Sequence, residues 1–174
     1  MGSAMVQPSV DADGAAYNDI YDHILRLCNQ AVDLAEAYSI ADNAESINEA
    51  IGIMEQAAEM VPQGHIRRAS VSGNLLAILE LRFERTGSMD DLDQIINLAG
   101  QELEGMPQNH PDRAAWLDNL GSCLSKRFEQ AGSVDDLDRA VDVAGQAVDI
   151  TPQGHPDTAC WLTNLAIRLE MRFK

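Results

Sequence analysis

Residues Pro111–His155, PDRAAWLDNLGSCLSKRFEQAGSVDDLDRAVDVAGQAVDITPQGH, decide the fold, because the rest of the chain repeats them. Moving along the sequence by 45 residues places Phe83 on Phe128 and Phe173, and Pro62 on Pro107 and Pro152. The same shift places Gly87 on Gly132, and Asp90-Asp91-Leu92-Asp93 on Asp135-Asp136-Leu137-Asp138. Self-similarity at a fixed period of this size marks a repeat architecture, in which each unit buries its apolar face on its neighbours. The 174 residues hold just under four units. The expected units run 17–65, 66–110 and 111–155, followed by a terminal helix over 156–174.

Within each unit the apolar spacing is helical. Ile20, Ile24, Leu27, Ala31, Leu34 and Tyr38 recur at steps of three and four, and Ile47, Ala50, Ile51, Met54 and Ala57 form a second stripe. In the second unit Leu75, Leu79 and Phe83 line one helix, and Leu92, Ile95, Ile96, Ala99 and Leu103 the next. Gly87-Ser88 and Gly132-Ser133 separate the paired helices. Each serine is placed to cap a helix whose third position is aspartate (Asp91, Asp136), the acidic form of a capping box. The carboxylates of that first turn also complement the positive end of the helix dipole. His110-Pro111-Asp112 is expected to open a helix, with proline in its first turn. Met1-Gly2-Ser3-Ala4-Met5 reads as an expression remnant, and the Pro-, Asp- and Gly-bearing stretch up to Ala16 as a disordered leader. Residues 1–16 are therefore set apart from the helical domain at 17–174. The last unit stops within its first helix, so the chain is expected to be a piece of something longer.

Acidic residues outnumber basic ones 28 to 12, a formal net charge of −16. Such a chain repels phosphate backbones and anionic lipid, which argues against nucleic acid and membrane surfaces and favours a partner with a basic patch. No run approaches the roughly 18 apolar residues of a membrane span, and no signal peptide is visible. The three cysteines, Cys28, Cys123 and Cys160, form an odd set without metal-ligand spacing, as expected of reduced thiols in a cytoplasmic protein.

Leu117, Leu120-Gly121 and Leu124 on one helix, with Ala140, Ala144, Ala147 and Pro152 on the next, resemble the tetratricopeptide repeat. Ala50, Met54, Ala57 and Pro62 match the second-helix pattern as well. The second unit departs from it, with Leu76 for the glycine and Ile95 and Glu102 for two alanines. The period exceeds the usual ~34 residues by about eleven, seven of them between Leu120 and Ala140, which lengthens each helix by roughly one turn. The phrase HPD-x-A-x-W-L-x-N-L is similar to the longer repeats of kinesin light chains. It is closer still to arrays in large fungal proteins that carry caspase-like (CHAT) or nucleotide-binding domains. The resemblance implies an all-α, right-handed solenoid of antiparallel helix pairs whose first helices line a concave groove.

One asparagine recurs per unit: Asn29, Asn74, Asn119 and Asn164. The resemblance implies that this position faces the groove. A side-chain amide both donates and accepts, so a ladder of amides can hold an extended backbone without reading its sequence. By the same register the groove includes Ser70, Asp118, Ser122, Lys126 and Thr163. The competing reading is that each amide bonds a neighbouring helix and fixes repeat geometry.

Other recurrent residues read as structural. His65, His110 and His155 sit one per turn, roughly 10 Å apart by helix packing, too far to share a zinc ion bound at about 2 Å. The D-D-x-D clusters lack the glycine and terminal glutamate of a calcium loop. Cys123 and Cys160 have no fixed basic neighbour that would make a nucleophile, and Trp116 and Trp161 fall on apolar stripes. Arg82, Arg127 and Arg172 read as solvated positions or inter-repeat ion pairs worth at most about 1 kcal/mol. No phosphate loop, nucleophile elbow or HExxH is present. The expected protein is a non-catalytic interaction module or scaffold without cofactor or metal, taking a peptide or partner helix in its groove. The alternative is self-association, a homo-oligomer formed through exposed solenoid ends.

Overall fold

Seven helices follow one another in the computed structural model, which describes residues 11–62, 64–65 and 67–173, with side chains from residue 19 onward. They are α1 (Asp11–Ala41), α2 (Ala44–Met60), α3 (Arg68–Thr86), α4 (Met89–Gly105), α5 (Arg113–Ala131), α6 (Val134–Ile150) and α7 (Thr158–Arg172). No strand occurs among the described residues. Each helix packs on the one before it and the one after it in sequence. The protein is all-helical and repeat-like. No helix among the described residues is long and apolar enough to cross a membrane.

Two expectations at helix starts need correction. Helix α1 begins at Asp11 rather than Tyr17, so the expected leader is helical from that point. Two aspartates in its first turn suit the helix dipole, and Ala15-Ala16 are strong helix formers. Residues 1–10 lie outside the described residues. Helix α5 starts at Arg113, two residues beyond Pro111, with Asp112 as a cap residue whose side chain makes no capping bond. Histidine acts there instead. His110 Nδ1 accepts from the Asp112 N–H at 3.2 Å, His155 Nδ1 from the Asp157 N–H at 3.2 Å, and His65 Nδ1 from the Arg67 N–H at 3.1 Å. The recurrent histidines are thus helix-entry residues, and among the described residues no three His, Cys, Asp or Glu side chains converge on a metal position.

The turns inside the helix pairs follow the sequence closely. Gly87 and Gly132 adopt φ of 67° and 72°, a left-handed conformation that suits glycine, and their N–H groups bond Phe83 O and Phe128 O. Ser88 and Ser133 then accept from the N–H groups of Asp91 and Asp136. The reciprocal half of the capping box is absent. Ser88 N donates to Thr86 Oγ1, and the Asp91 carboxylate turns to Arg82.

Small residues let the helices approach closely. Ala50, Met54 and Ala57 on α2 are fully buried, as are Ile95 and Ala99 on α4 and Ala140 and Ala147 on α6. Glu102 stands where Ala57 and Ala147 stand in their helices, yet it is 3% exposed. Arg68 Nε reaches it at 2.7 Å and Ser72 Oγ at 2.9 Å, and Ser72 occupies the register of the apolar Leu117. A carboxylate can be buried there because a cation and a hydroxyl are buried beside it.

Arg82 and Arg127 are clamps rather than solvated side chains. Arg82 binds both oxygens of Asp91, and its Nη1 donates to Asn48 Oδ1 of α2 at 2.7 Å. Arg127 holds Asp136 at 2.6 and 2.8 Å and Asp93 of α4 at 2.5 Å. Each arginine therefore ties its own helix pair to the preceding one.

Candidate functional site

Contacts between helices two apart in sequence join only odd-numbered helices, α1 with α3 and α5 with α7. Among the described residues no such contact joins even-numbered helices, so the odd helices lie on the more tightly curved side. Two clefts open on that side. The first, about 220 Å³, lies between α1 and α3 and is lined by Val32, Glu36, Ser39, Asn74, Ala77 and Leu81. The second, about 180 Å³, lies between α5 and α7, lined by Ser122, Ser125, Glu129, Asn164, Ile167 and Met171, with Arg168 beside them. Val32, Ala77, Ser122 and Ile167 share one register position, and so do Glu36, Leu81, Lys126 and Met171. The same repeat positions therefore line both clefts with different chemistry.

The asparagines differ from one another. Asn29, Asn74 and Asn119 are exposed on α1, α3 and α5. The Asn74 amide approaches the Cys28 thiol on α1. Asn164 is half-buried, and its Nδ2 donates to Asp118 Oδ2 on α5 at 2.9 Å, which is the geometry-fixing role. Asp118 also pairs with Arg168 Nη1 at 2.9 Å, and Arg168 Nη2 donates to Ser122 Oγ at 2.7 Å and to the Asp118 carbonyl at 3.2 Å. Asp118, Ser122 and Asn164 thus form one polar network that joins α5 to α7. Thr163 is exposed, but its hydroxyl donates to Ala159 O of its own helix at 2.7 Å. Lys126 lies 3.5 Å from Glu80 Oε1 and over the Phe83 ring, linking α5 to α3. Ser70 is exposed on α3.

Sequence reasoning missed Arg168. It is 4% exposed and stands at the register of Ile78 and Cys123, both buried. An arginine at a position that other units fill with apolar side chains, in an acidic chain, is the signal that marked it. Gly121 leaves room for it: a Cβ there would lie 3.0 Å from Arg168 Cζ, 3.2 Å from Val143 Cγ2 and 3.3 Å from Ala140 O.

The thiols carry little reactivity. Burial, and then the Glu80 carboxylate, push the Cys123 thiol up to about 12, and burial also raises Cys28. Both are neutral near pH 7 and poor nucleophiles in that state. Exposed carboxylates flank the clefts instead, at Glu36, Glu84 and Glu129 on successive odd helices. The side therefore offers amides, hydroxyls, a few apolar side chains and negative charge.

These features define a class, the all-helical repeat-like proteins. No family model matches the chain, and no curated protein matches it. Among solved structures it is similar to a chain titled "DHF119 filament", at 16% identity and a TM-score of 0.48, covering 88% of this chain and 80% of that one.

Proposed function

We propose that this chain is a right-handed solenoid of the tetratricopeptide type, built on 45-residue units, and that its odd-helix side is a concave groove binding an extended, basic peptide segment. The observation that carries the reading is the repetition of cleft-lining positions along α1, α3, α5 and α7 beside the exposed carboxylates Glu36, Glu84 and Glu129. Asn29, Asn74 and Asn119 supply amides for the peptide backbone, whereas Asn164 and Arg168 hold the α5–α7 wall in place. Shallow open clefts of this chemistry suit binding rather than catalysis.

The test is selection from a displayed random-peptide library, followed by affinity measurement of the enriched sequences. Enrichment of Lys- and Arg-bearing peptides is expected, with affinity lost in an Asn74→Ala/Asn119→Ala chain and reduced in a Glu84→Gln/Glu129→Gln chain. Enrichment of acidic sequences, or equal binding by both variants, refutes the groove. Self-association is a second reading, favoured by Ile20, Leu25 and Ile40, which are 47%, 54% and 88% exposed on α1. It predicts a scattering mass that rises with concentration and falls back in a Leu25→Asp chain.

A further inference from the structure

Helix α7 displays the apolar face that α3 and α5 bury. On α5, Leu117, Leu120 and Leu124 are enclosed between α4 and α6, and on α3 the matching Leu75 and Leu79 are enclosed between α2 and α4. The same register on α7 is Leu162, Leu165 and Leu169, continued by Phe173. There Leu162 is 49% and Phe173 83% exposed, because α7 packs on α6 and α5 alone. The ionic pattern is interrupted at the same place. Arg82 bridges Asn48 and Asp91, and Arg127 bridges Asp93 and Asp136, so each joins the preceding even helix to the following one. Arg172 reaches Asp138 of the preceding α6 at 2.8 Å, and no following helix among the described residues brings a second carboxylate to it.

We propose that this face of α7 is a docking site for an amphipathic helix of a partner protein with the chemistry of α4 and α6. That helix begins with a serine or threonine cap, carries aspartate three residues later for Arg172, and presents small and aliphatic side chains to Leu162, Leu165 and Phe173. Charge complementarity names the acidic first turn, since guanidinium and carboxylate pair with fixed geometry. The leucine face names the apolar stripe. A second copy of this chain fits poorly, because Asp91 and Asp136 are already taken by Arg82 and Arg127, and α2 has Ser46 at that position. The site is separate from the groove between the odd helices, so either can fail alone.

The probe is a labelled peptide of residues 132–151 added to the whole chain, with binding read by fluorescence anisotropy. Saturable binding is expected, absent for a scrambled peptide and absent for a Leu162→Asp chain. Leu162 is half-exposed, and circular dichroism checks that this variant keeps its helices. Arg172→Ala in the chain and Asp136→Asn in the peptide should each weaken binding about fivefold, and the two together no more than either alone. No saturable binding overturns the proposal. So does equal binding to the Leu162→Asp chain, which would mean that the peptide displaces α6 from α5. Concentration-dependent dimerisation abolished by Leu162→Asp overturns it too, by making a second copy the occupant.

Discussion

Replacing Asp91 by Asn tests whether the arginine clamps hold the helix pairs together. Asp91 is fully buried, and Arg82 Nε lies 3.0 Å from each of its oxygens, with Nη2 also bonded to Oδ1. An amide there removes the charge and turns one of two acceptors into a donor facing the guanidinium. Breaking a fully buried pair costs about 3–5 kcal/mol. The Arg82 side chain is 23% exposed and keeps its bond to Asn48, so water recovers part of that. A loss of about 2–4 kcal/mol is expected on this reasoning. Asp138→Asn is the control, since its pair with Arg172 has both side chains 42% exposed. There the expected loss is at most about 1 kcal/mol. Urea unfolding followed by circular dichroism separates the two. With a slope of about 2 kcal/mol per molar, Asp91→Asn should move the midpoint by about 1–2 M and Asp138→Asn by at most about 0.5 M. Equal small shifts would refute the idea that the clamp is a desolvated, structurally necessary contact. An Arg82→Met/Asp91→Leu double variant should recover most of the loss, because no charge is then left buried alone.

Two further outcomes follow from the same packing. Hydrogen bonds from Arg127, with its charge, hold the Asp136 carboxyl below its ordinary value against the opposing effect of burial. Its stabilising contribution is therefore complete above the unfolded carboxyl pKa of about 4 and is lost as pH falls through the lower folded value. Asp136→Asn should flatten the fall of stability in acid titrations monitored by urea midpoint. Gly121→Ala should destabilise by about 1–3 kcal/mol through its close approach to Arg168, Val143 and the Ala140 carbonyl. Gly145→Ala, where an added Cβ meets nothing within 4 Å, should stabilise by about 0.4–1 kcal/mol in the same assay.

The helix pairs were legible in the sequence because their signals are local. Gly87-Ser88 and Gly132-Ser133 end one helix and cap the next through bonds that span at most four residues. The apolar steps of three and four place Ile47, Met54, Leu79 and Leu124 in the interior without reference to any partner. The site was legible only as a register. Asn29, Asn74, Asn119 and Asn164 share one position, but the exposed amides and the Asn164–Asp118 bond separate only once the helices are packed. The arginine repeat was visible, while its partners were not.

The sequence by itself determined that this is an all-helical chain with recurring units, since capping, turn conformation and apolar spacing act within a few residues. Tertiary structure alone decided which polar groups are buried together: Glu102 with Arg68 and Ser72, Asp91 with Arg82, and Arg168 with Asp118 and Ser122. It also decided that α7 shows its leucine face to solvent. Except for the turn-spanning Arg82–Asp91 pair, these partners stand 30 to 50 residues apart in the chain. Whether a charge is desolvated or wet depends on which helix comes to lie across it, and no local pattern records that.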